Sequence, residues 1–576
     1  MISGIGKRRA SSLIVTQTSL KQEQGRPRAM KRLRDANIPA DARTLGGVLR
    51  HKAEKNGDKT FLKFLDREYS YREIQEISNR LARSLQEGGL EKGQHVAFMI
   101  DNKPELLFLY FAVAKVGGVC VPVNTAAKGE LFTYYLTQSD STVLISDSGL
   151  VDRFLTVQDQ CPDIGKLIIV DDGRPASDAI RAALRPEIAE YEDLLKASAE
   201  DLPGDIVRSR DLAFLLYTSG TTGPSKGNME PHEMMVSGSL DHVEYFGYQP
   251  EDVLYTCLPL FHGNALNTCA LPALIADATL VVSPRFSASS FWQEVRDNGV
   301  TQFNLLGAMA NIIWAQPESP EDKDNKARMC MMVPVPDFAR EFEKRYGLKV
   351  TSVYALTDFG GVTFLSPEHP PAKWKSAGQV RDNMTIAILD DDDYPQAPGV
   401  PGEICVRCDV PWVTAQGYYK KPEATAEARR NLWFHTGDRG YLDEDGFLYF
   451  VDRKKDAIRR RGENISSYEV EQIILGHPAV EDVAAYAVSS EMSEDEVMVS
   501  VECKKGHDLS HEELIRHCAA NMAYFMVPRY VEFVPALPRT MTEKVEKYKL
   551  KQSAQGRLDQ IWDREEAGIV VNRHTN

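Results

Sequence analysis

Between Ser70 and Asp147 the chain alternates helical and extended hydrophobic patterns, and this alternation restricts the fold to parallel α/β layers. Ile74, Ile77, Leu81 and Leu85 recur at helical spacing until Gly88 and Gly89 stop the run. HVAFMI then reads as a buried strand, PELLFLYFAVAKVGG as a helix opened by proline and closed by glycines, and VCVPVN as another strand. Strand, helix and strand in that order imply a right-handed parallel unit. LFTYYLTQSD, TVLISD and, after an intervening helix, LIIVDD form a second round. The chain up to Gly437 therefore reads as parallel sheets covered by helices.

Beyond Gly437 the texture changes to short segments and tight turns. DEDG between YL and FLYFVDR signals a hairpin, because Asp and Gly tolerate its turn geometry. A second, smaller α/β region follows: a helix at YEVEQIILGH, strands at VEDVAAYAV and EVMVSVEC, a helix at HEELIRHCAANM and a strand at YVEFV. The expected organisation is an extension over 1–40, a large domain over 41–453, a hinge at 454–455, a small domain over 456–551 and a polar tail over 552–576. At 576 residues the chain exceeds one core of ordinary size, which agrees with two or more domains.

The net charge of −15 argues against broad nucleic-acid or anionic-membrane binding, so an anionic ligand must be held by a local basic site. The longest apolar run, Leu106 to Ala114, is too short to span a bilayer. Nine scattered cysteines in so long a chain suit a reducing, cytoplasmic setting, and the lone CxxC of Cys405 and Cys408 lacks a second ligand pair for zinc. The first 34 residues hold nine Lys or Arg against one acid, Glu23, and are expected to be a disordered extension rather than an organelle transit peptide.

One loop stands apart. YTSGTTGPSKG, residues 217–227, follows the apolar run Leu212–Leu216 and precedes a stretch read as the start of a helix. Small residues leave backbone N–H groups free to converge on an anion, and the lysine adds a point charge, so the loop is a candidate phosphate cradle. Its spacing fits neither GxxxxGK[ST] nor GxGxxG.

The run resembles the phosphate loop of the adenylate-forming superfamily of acyl-CoA synthetases, adenylation domains and luciferases. LPLFHG (258–263), YALTD (354–358), HTGDRGYLDEDGFLYFVDRKKD (435–456), RGENIS (461–466) and LPRTMTEK (537–544) follow in the family's order. The nearest likeness is to crotonobetaine/carnitine-type acyl-CoA ligases, through FLYFVDR and RGENIS. The resemblance implies a large domain with two parallel-type subdomains and a small β-barrel-like part, followed by a small mobile α+β domain. It also implies an acid–thiol ligase: ATP and a carboxylic acid give an acyl adenylate, and a thiol then displaces AMP.

Residue by residue, the resemblance assigns Thr218, Ser219, Gly220, Thr221, Thr222, Gly223 and Lys226 to the β- and γ-phosphates. Thr357 falls at the α-phosphate, Asp358 at Mg²⁺, and Tyr354 in the same nucleotide segment. Asp438 matches the carboxylate on the ribose and Arg453 the arginine beside it. Lys544 aligns with the lysine that bridges acid and α-phosphate, Lys455 with the hinge, and Gly462 and Glu463 with the pantetheine channel. Arg459, Arg460 and Arg461 either meet the phosphates of coenzyme A or form a solvated run. His262 matches a gate near the carboxylate, and Gly307, Phe359, Gly360 and Gly361 fall where the acyl pocket is built. Phe359, Trp314 and several methionines suggest a mostly apolar pocket.

Four departures stand out: Asp358 for the usual glutamate, Ala355 for glycine, Glu543 for the glycine before Lys544, and the bulky RMCMMVPVPDF where relatives are Gly/Ala-rich. The implied ligands are ATP, Mg²⁺, coenzyme A and a small carboxylic acid, and a homodimer is compatible with them. A stand-alone enzyme loading a carrier protein is the alternative with the same chemistry. A degenerate nucleotide- or acyl-binding protein is the alternative of another class.

Overall fold

The computed structural model describes residues 15–16, 38–39, 42–203, 206–218, 224–453, 457–461, 463–489, 495–539 and 545–572. Helix Tyr71–Glu87 starts where the sequence places it because Ser70 and Glu73 form a capping box, each side chain bonding the other's backbone N–H. Helix Pro104–Val116 opens on proline and ends at Gly117, whose φ of 83° suits only a left-handed cap. Both helices feed one apolar cluster that also takes Phe98 from one large sheet and Tyr255 and Phe303 from the other.

The first large sheet orders its strands as Lys226–Pro231, Leu212–Thr218, Val119–Pro122, His95–Met99, Ser141–Asp147, Lys166–Val170 and Glu187–Glu190. All neighbours are parallel except the first pair. The second has nine strands, with a parallel centre that includes Val253–Thr256, Gln302–Leu306, Met329–Val333 and Lys349–Leu356. A third, antiparallel sheet contains Met384–Leu389, Gly402–Cys408, Phe434–Leu442 and Leu448–Arg453. The expected DEDG hairpin forms in it: Asp443 Oδ1 accepts from Asp445 N and Phe447 N, and Gly446 has a φ of 77°.

The small C-terminal unit combines the hairpin Ala457–Arg460/Glu463–Ser466 with a sheet of Val480–Ser489, Asp495–Cys503, Tyr530–Val534 and Trp562–Asp563. Its helix His511–Asn521 packs on helix Gly129–Gln138 of the large unit. Among the described residues, no helix is long and apolar enough to cross a membrane.

The structure corrects three expectations. The residues after the glycine-rich loop form a strand, Lys226–Pro231, and the helix begins only at His232. The presumed tail is part of the small unit, since Trp562–Asp563 adds an edge strand and Arg564 is buried. Within the presumed N-terminal extension, Val15–Thr16 pairs with Met384–Leu389. Lys455 lies outside the described residues.

Gly378 links the second and third sheets: its φ is 90°, it precedes Gln379–Val380, and its carbonyl accepts from Leu448 N. A Cβ there would meet the main chain of Phe364 and Leu365. Gly378→Ala is expected to cost about 2–4 kcal/mol, read as a lower urea midpoint, by adding backbone collision to left-handed strain.

Candidate functional site

The carboxyl ends of the parallel strands open onto one cavity of ≈ 2280 Å³, lined there by Asp101, Asn124, Leu258, Leu306, Val333 and Leu356. This is where ligands bind in open α/β sheets. The volume exceeds an ordinary single-ligand pocket, typically about 300–1,000 Å³. Both units contribute to its wall.

At one end, Thr218 faces Lys226 across the antiparallel pair that brackets the glycine-rich loop. Lys226 Nζ lies 4.8 Å from the ring centre of Tyr418. Asp358 is buried nearby, and burial pushes its carboxyl up to about 6 although Tyr418, Arg429 and Lys226 all oppose the shift. Asn228 Nδ2 donates to Thr357 O at 2.8 Å and ties this strand to the YALTD segment. Ser219, Gly220, Thr221, Thr222 and Gly223 lie outside the described residues.

Asp438 sits in the wall with Tyr354, whose hydroxyl donates to Asp438 Oδ2 at 2.8 Å. Thr436 Oγ1 accepts from Asp438 N, so the HTGD turn fixes its own carboxylate. Arg453 is the ladder partner of Asp438 on the neighbouring strand.

The small unit closes the opposite side. His262 Nε2 lies 2.6 Å from Glu463 Oε2, and Asn124 Nδ2 donates to Glu463 Oε1 at 3.4 Å. Burial lowers the basicity of His262, but the charge and hydrogen bond of Glu463 outweigh it and raise the pKa. Glu469 Oε1 accepts from Ser225 N at 2.8 Å, joining the first turn of helix Ser467–Leu475 to the exit of the glycine-rich loop. Arg459 and Arg461 line the cavity, whereas Arg460 points the other way, buried, and donates to the carbonyls of Phe525 and Val527. Alternation along the hairpin separates Arg460 from its neighbours, which removes it from the expected coenzyme A contacts. Gly462 and Lys544 lie outside the described residues.

At the acyl end, Gly360 and Gly361 line the cavity, and Gly307 opens helix Gly307–Trp314, which supplies Met309 and Ile312. Phe359 does not line it. Its ring packs on Phe434, 4.9 Å between centres, inside the third sheet's core. Trp314 also turns away and stacks on Phe338. The expected apolar character holds for Met234, Met235 and Met309, but Glu230, Asn264, Asn267 and Thr268 add polar groups.

The sequence reading missed Asn124, Asn228, Glu230, Tyr418, Arg429 and Glu469. The available signal was the polar alternation of Lys226, Asn228 and Glu230, which puts all three on one strand face.

Among the described residues, Glu403, Cys405 and His435 form the cluster best able to gather metal ligands. Glu403 is already engaged by Gly437 N, Arg430 and His435, so the cluster reads as a hydrogen-bonded support under the HTGD turn. Cys405 and Cys408 belong to different apolar clusters, consistent with opposite strand faces.

Sequence and fold comparisons agree with this layout. Residues 49–419 match the AMP-binding enzyme family and residues 469–544 its C-terminal domain. A crotonobetaine/carnitine–CoA ligase of Salmonella heidelberg is 31% identical over 507 residues, covering 86% of this chain and 96% of the relative. The corresponding ligase of Salmonella paratyphi B is 32% identical over 508 residues, again covering 86% and 96%. Among solved structures, the o-succinylbenzoate CoA synthetase of Bacillus subtilis, bound with a product analogue, superposes with a TM-score of 0.76 at 25% identity, covering 88% of this chain and 97% of that one. ATP-bound MatB of Rhodopseudomonas palustris gives 0.62 at 25% identity, covering 89% and 99%. The chain belongs to the AMP-binding enzyme family. Within it, the chain is an AMP-forming acyl-CoA ligase.

The Glu463 contact holds the His262 pKa above its ordinary value, so its stabilisation is fully present below the ordinary pKa and is lost as pH rises through the raised one. Glu463→Gln is expected to lower the His262 pKa, read from the imidazole C2–H shift by NMR. An unchanged pKa would show that the contact does not form in solution.

Proposed function

We propose that this ligase activates a small carboxylic acid with ATP and passes the acyl group to coenzyme A, with distinct residues serving each half-reaction. The supporting observation is convergence: Lys226, Asp358, Asp438 and the His262–Glu463 pair, from distant parts of the chain, face one cavity at the strand ends.

For the first half-reaction both reactants are anions, so the enzyme must neutralise and align them. Lys226 supplies positive charge beside the glycine-rich loop, and Asp438, steadied by Tyr354, offers hydrogen-bond acceptors to a ribose. Thr357 is anchored through its carbonyl by Asn228, which fixes where its hydroxyl meets the α-phosphate. Asp358 fits a divalent cation, because it is a buried oxygen donor in the cavity wall. Mg²⁺ held there would offset phosphate charge. Lys544 is assigned to the attacking carboxylate and the α-phosphate.

For the second half-reaction, the docked RGENIS hairpin supports a role for Glu463 and the adjoining Gly462 at the thiol channel. The better superposition on the product-analogue complex than on the ATP-bound structure favours this arrangement of the units for thioester formation. A reorientation about Lys455 brings Lys544 to the site instead. Free coenzyme A is the proposed acceptor, with Arg459 and Arg461 in the cavity wall assigned to its phosphates.

The test is pyrophosphate release across a panel of carboxylic acids, with thioester formation on coenzyme A measured against carrier proteins. Lys544→Ala is expected to abolish pyrophosphate release while sparing thiolysis of a supplied acyl adenylate; equal loss of both refutes the division of labour. Asp438→Asn is expected to raise the KM for ATP roughly 10- to 100-fold, the scale of a charge-assisted hydrogen bond.

A further inference from the structure

Alternation puts Lys226, Asn228 and Glu230 on one face of the strand Lys226–Pro231, where Lys226 and Glu230 line the cavity and Asn228 is buried between them, and the function above uses only two. Lys226 belongs to the phosphate end and Asn228 anchors Thr357. Glu230, two residues further on the same face, lies about 13 Å along the strand from Lys226. It is fully buried, lines the cavity, and its Oε1 accepts from Asn228 Nδ2 at 3.4 Å. Its Oε2 has no hydrogen-bond partner among the described residues. The same holds for Asn228 Oδ1 and Asn267 Oδ1.

Three such oxygens gather here, with Asn267 close enough to act on the Glu230 carboxyl and burial holding that carboxyl well above the usual range, and they cost stability unless a ligand satisfies them. Asn267 and Thr268 ride on a π-helical turn, Leu266–Ala270, a distortion often found at functional sites. Thr268 is locked by Asn264 and Asn304, which leaves Asn267 as the member of this turn facing Glu230. The wall beside it contains Met234 and Met235, unbranched side chains able to make room for an incoming group. Asp358, by contrast, is ringed by Tyr418, Arg429 and Lys226. The Asp358 charge also raises the Glu230 carboxyl, so the two acids lie near one another at this wall.

We propose that Glu230, with Asn228 and Asn267, reads a hydrogen-bond donor on the acyl chain, so that the substrate is an acid carrying a hydroxyl or amine away from its carboxylate. This rests on the ligase reading and names its substrate class. A plain hydrocarbon chain would leave the three oxygens unpaired, and a site built around such groups rejects analogues lacking the donor.

The test measures kcat/KM for pyrophosphate release with ω-hydroxy and ω-amino acids of three to six carbons, each against its methyl-capped isostere. The wild-type protein is expected to favour the donor-bearing acid roughly tenfold or more at its best chain length. Glu230→Leu is expected to erase that preference while retaining release with the methyl-capped acid. Glu230→Gln, isosteric and a safeguard should the leucine variant misfold, is expected to keep part of the preference for the donor-bearing acid, because the amide retains an acceptor oxygen. The proposal is overturned if methyl-capped acids win at every length in the wild type, or if either variant lowers both classes alike. Absence of pyrophosphate with every acid would instead sink the ligase reading.

Discussion

The antiparallel pairing of Leu212–Thr218 with Lys226–Pro231 is the constraint on which the site depends. It brackets the glycine-rich segment and sets Thr218 opposite Lys226. Because side chains alternate along a strand, the pairing that orients Lys226 also orients Asn228 and Glu230. A one-residue slip would turn all three away from the cavity. The edge strand is held from outside as well, since Met229 N donates to Gly417 O and Tyr419 N to Gly227 O. Those bonds bring Tyr418 beside Lys226 and Asp358.

The second organising contact is between units. Glu463 reaches His262 and Asn124, and Glu469 reaches the backbone of Ser225, so the RGENIS hairpin and the helix after it grip the two loops that border the cavity. An acid pair on the small unit thus meets a histidine and a backbone donor on the large one. Such charge-assisted bonds are strong where water is excluded.

Much of the fold was legible because helix and strand periods, caps and turns agree locally with the final structure, as at Ser70, Pro104 and DEDG. The strand Lys226–Pro231 was not. KGNMEP is rich in residues that are poor strand formers, and it is extended because its polar face serves the cavity while its backbone pairs with an apolar partner. Phe359 was expected in the acyl pocket by its place in the family resemblance, but its ring packs into the core of the third sheet, while Gly360 and Gly361 line the cavity. Trp562–Asp563 and Glu469 depend on partners far away in sequence, which local pattern does not reveal. The motif residues His262, Lys226, Asp358, Asp438 and Glu463 do meet around one cavity.

The packing between units has one more implication. A single apolar cluster runs from Ala97, Leu131 and Phe132 of the large unit to Ile465, Val470 and Met522 of the small one. Any rotation that opens this cluster wets nonpolar surface and so carries a positive heat-capacity change. The balance between the proposed orientations would then shift with temperature, with the apolar share of the docking force weakening on cooling. On the proposed reorientation, temperature would become, through these side chains, a hidden variable in how the enzyme divides its time between its two half-reactions.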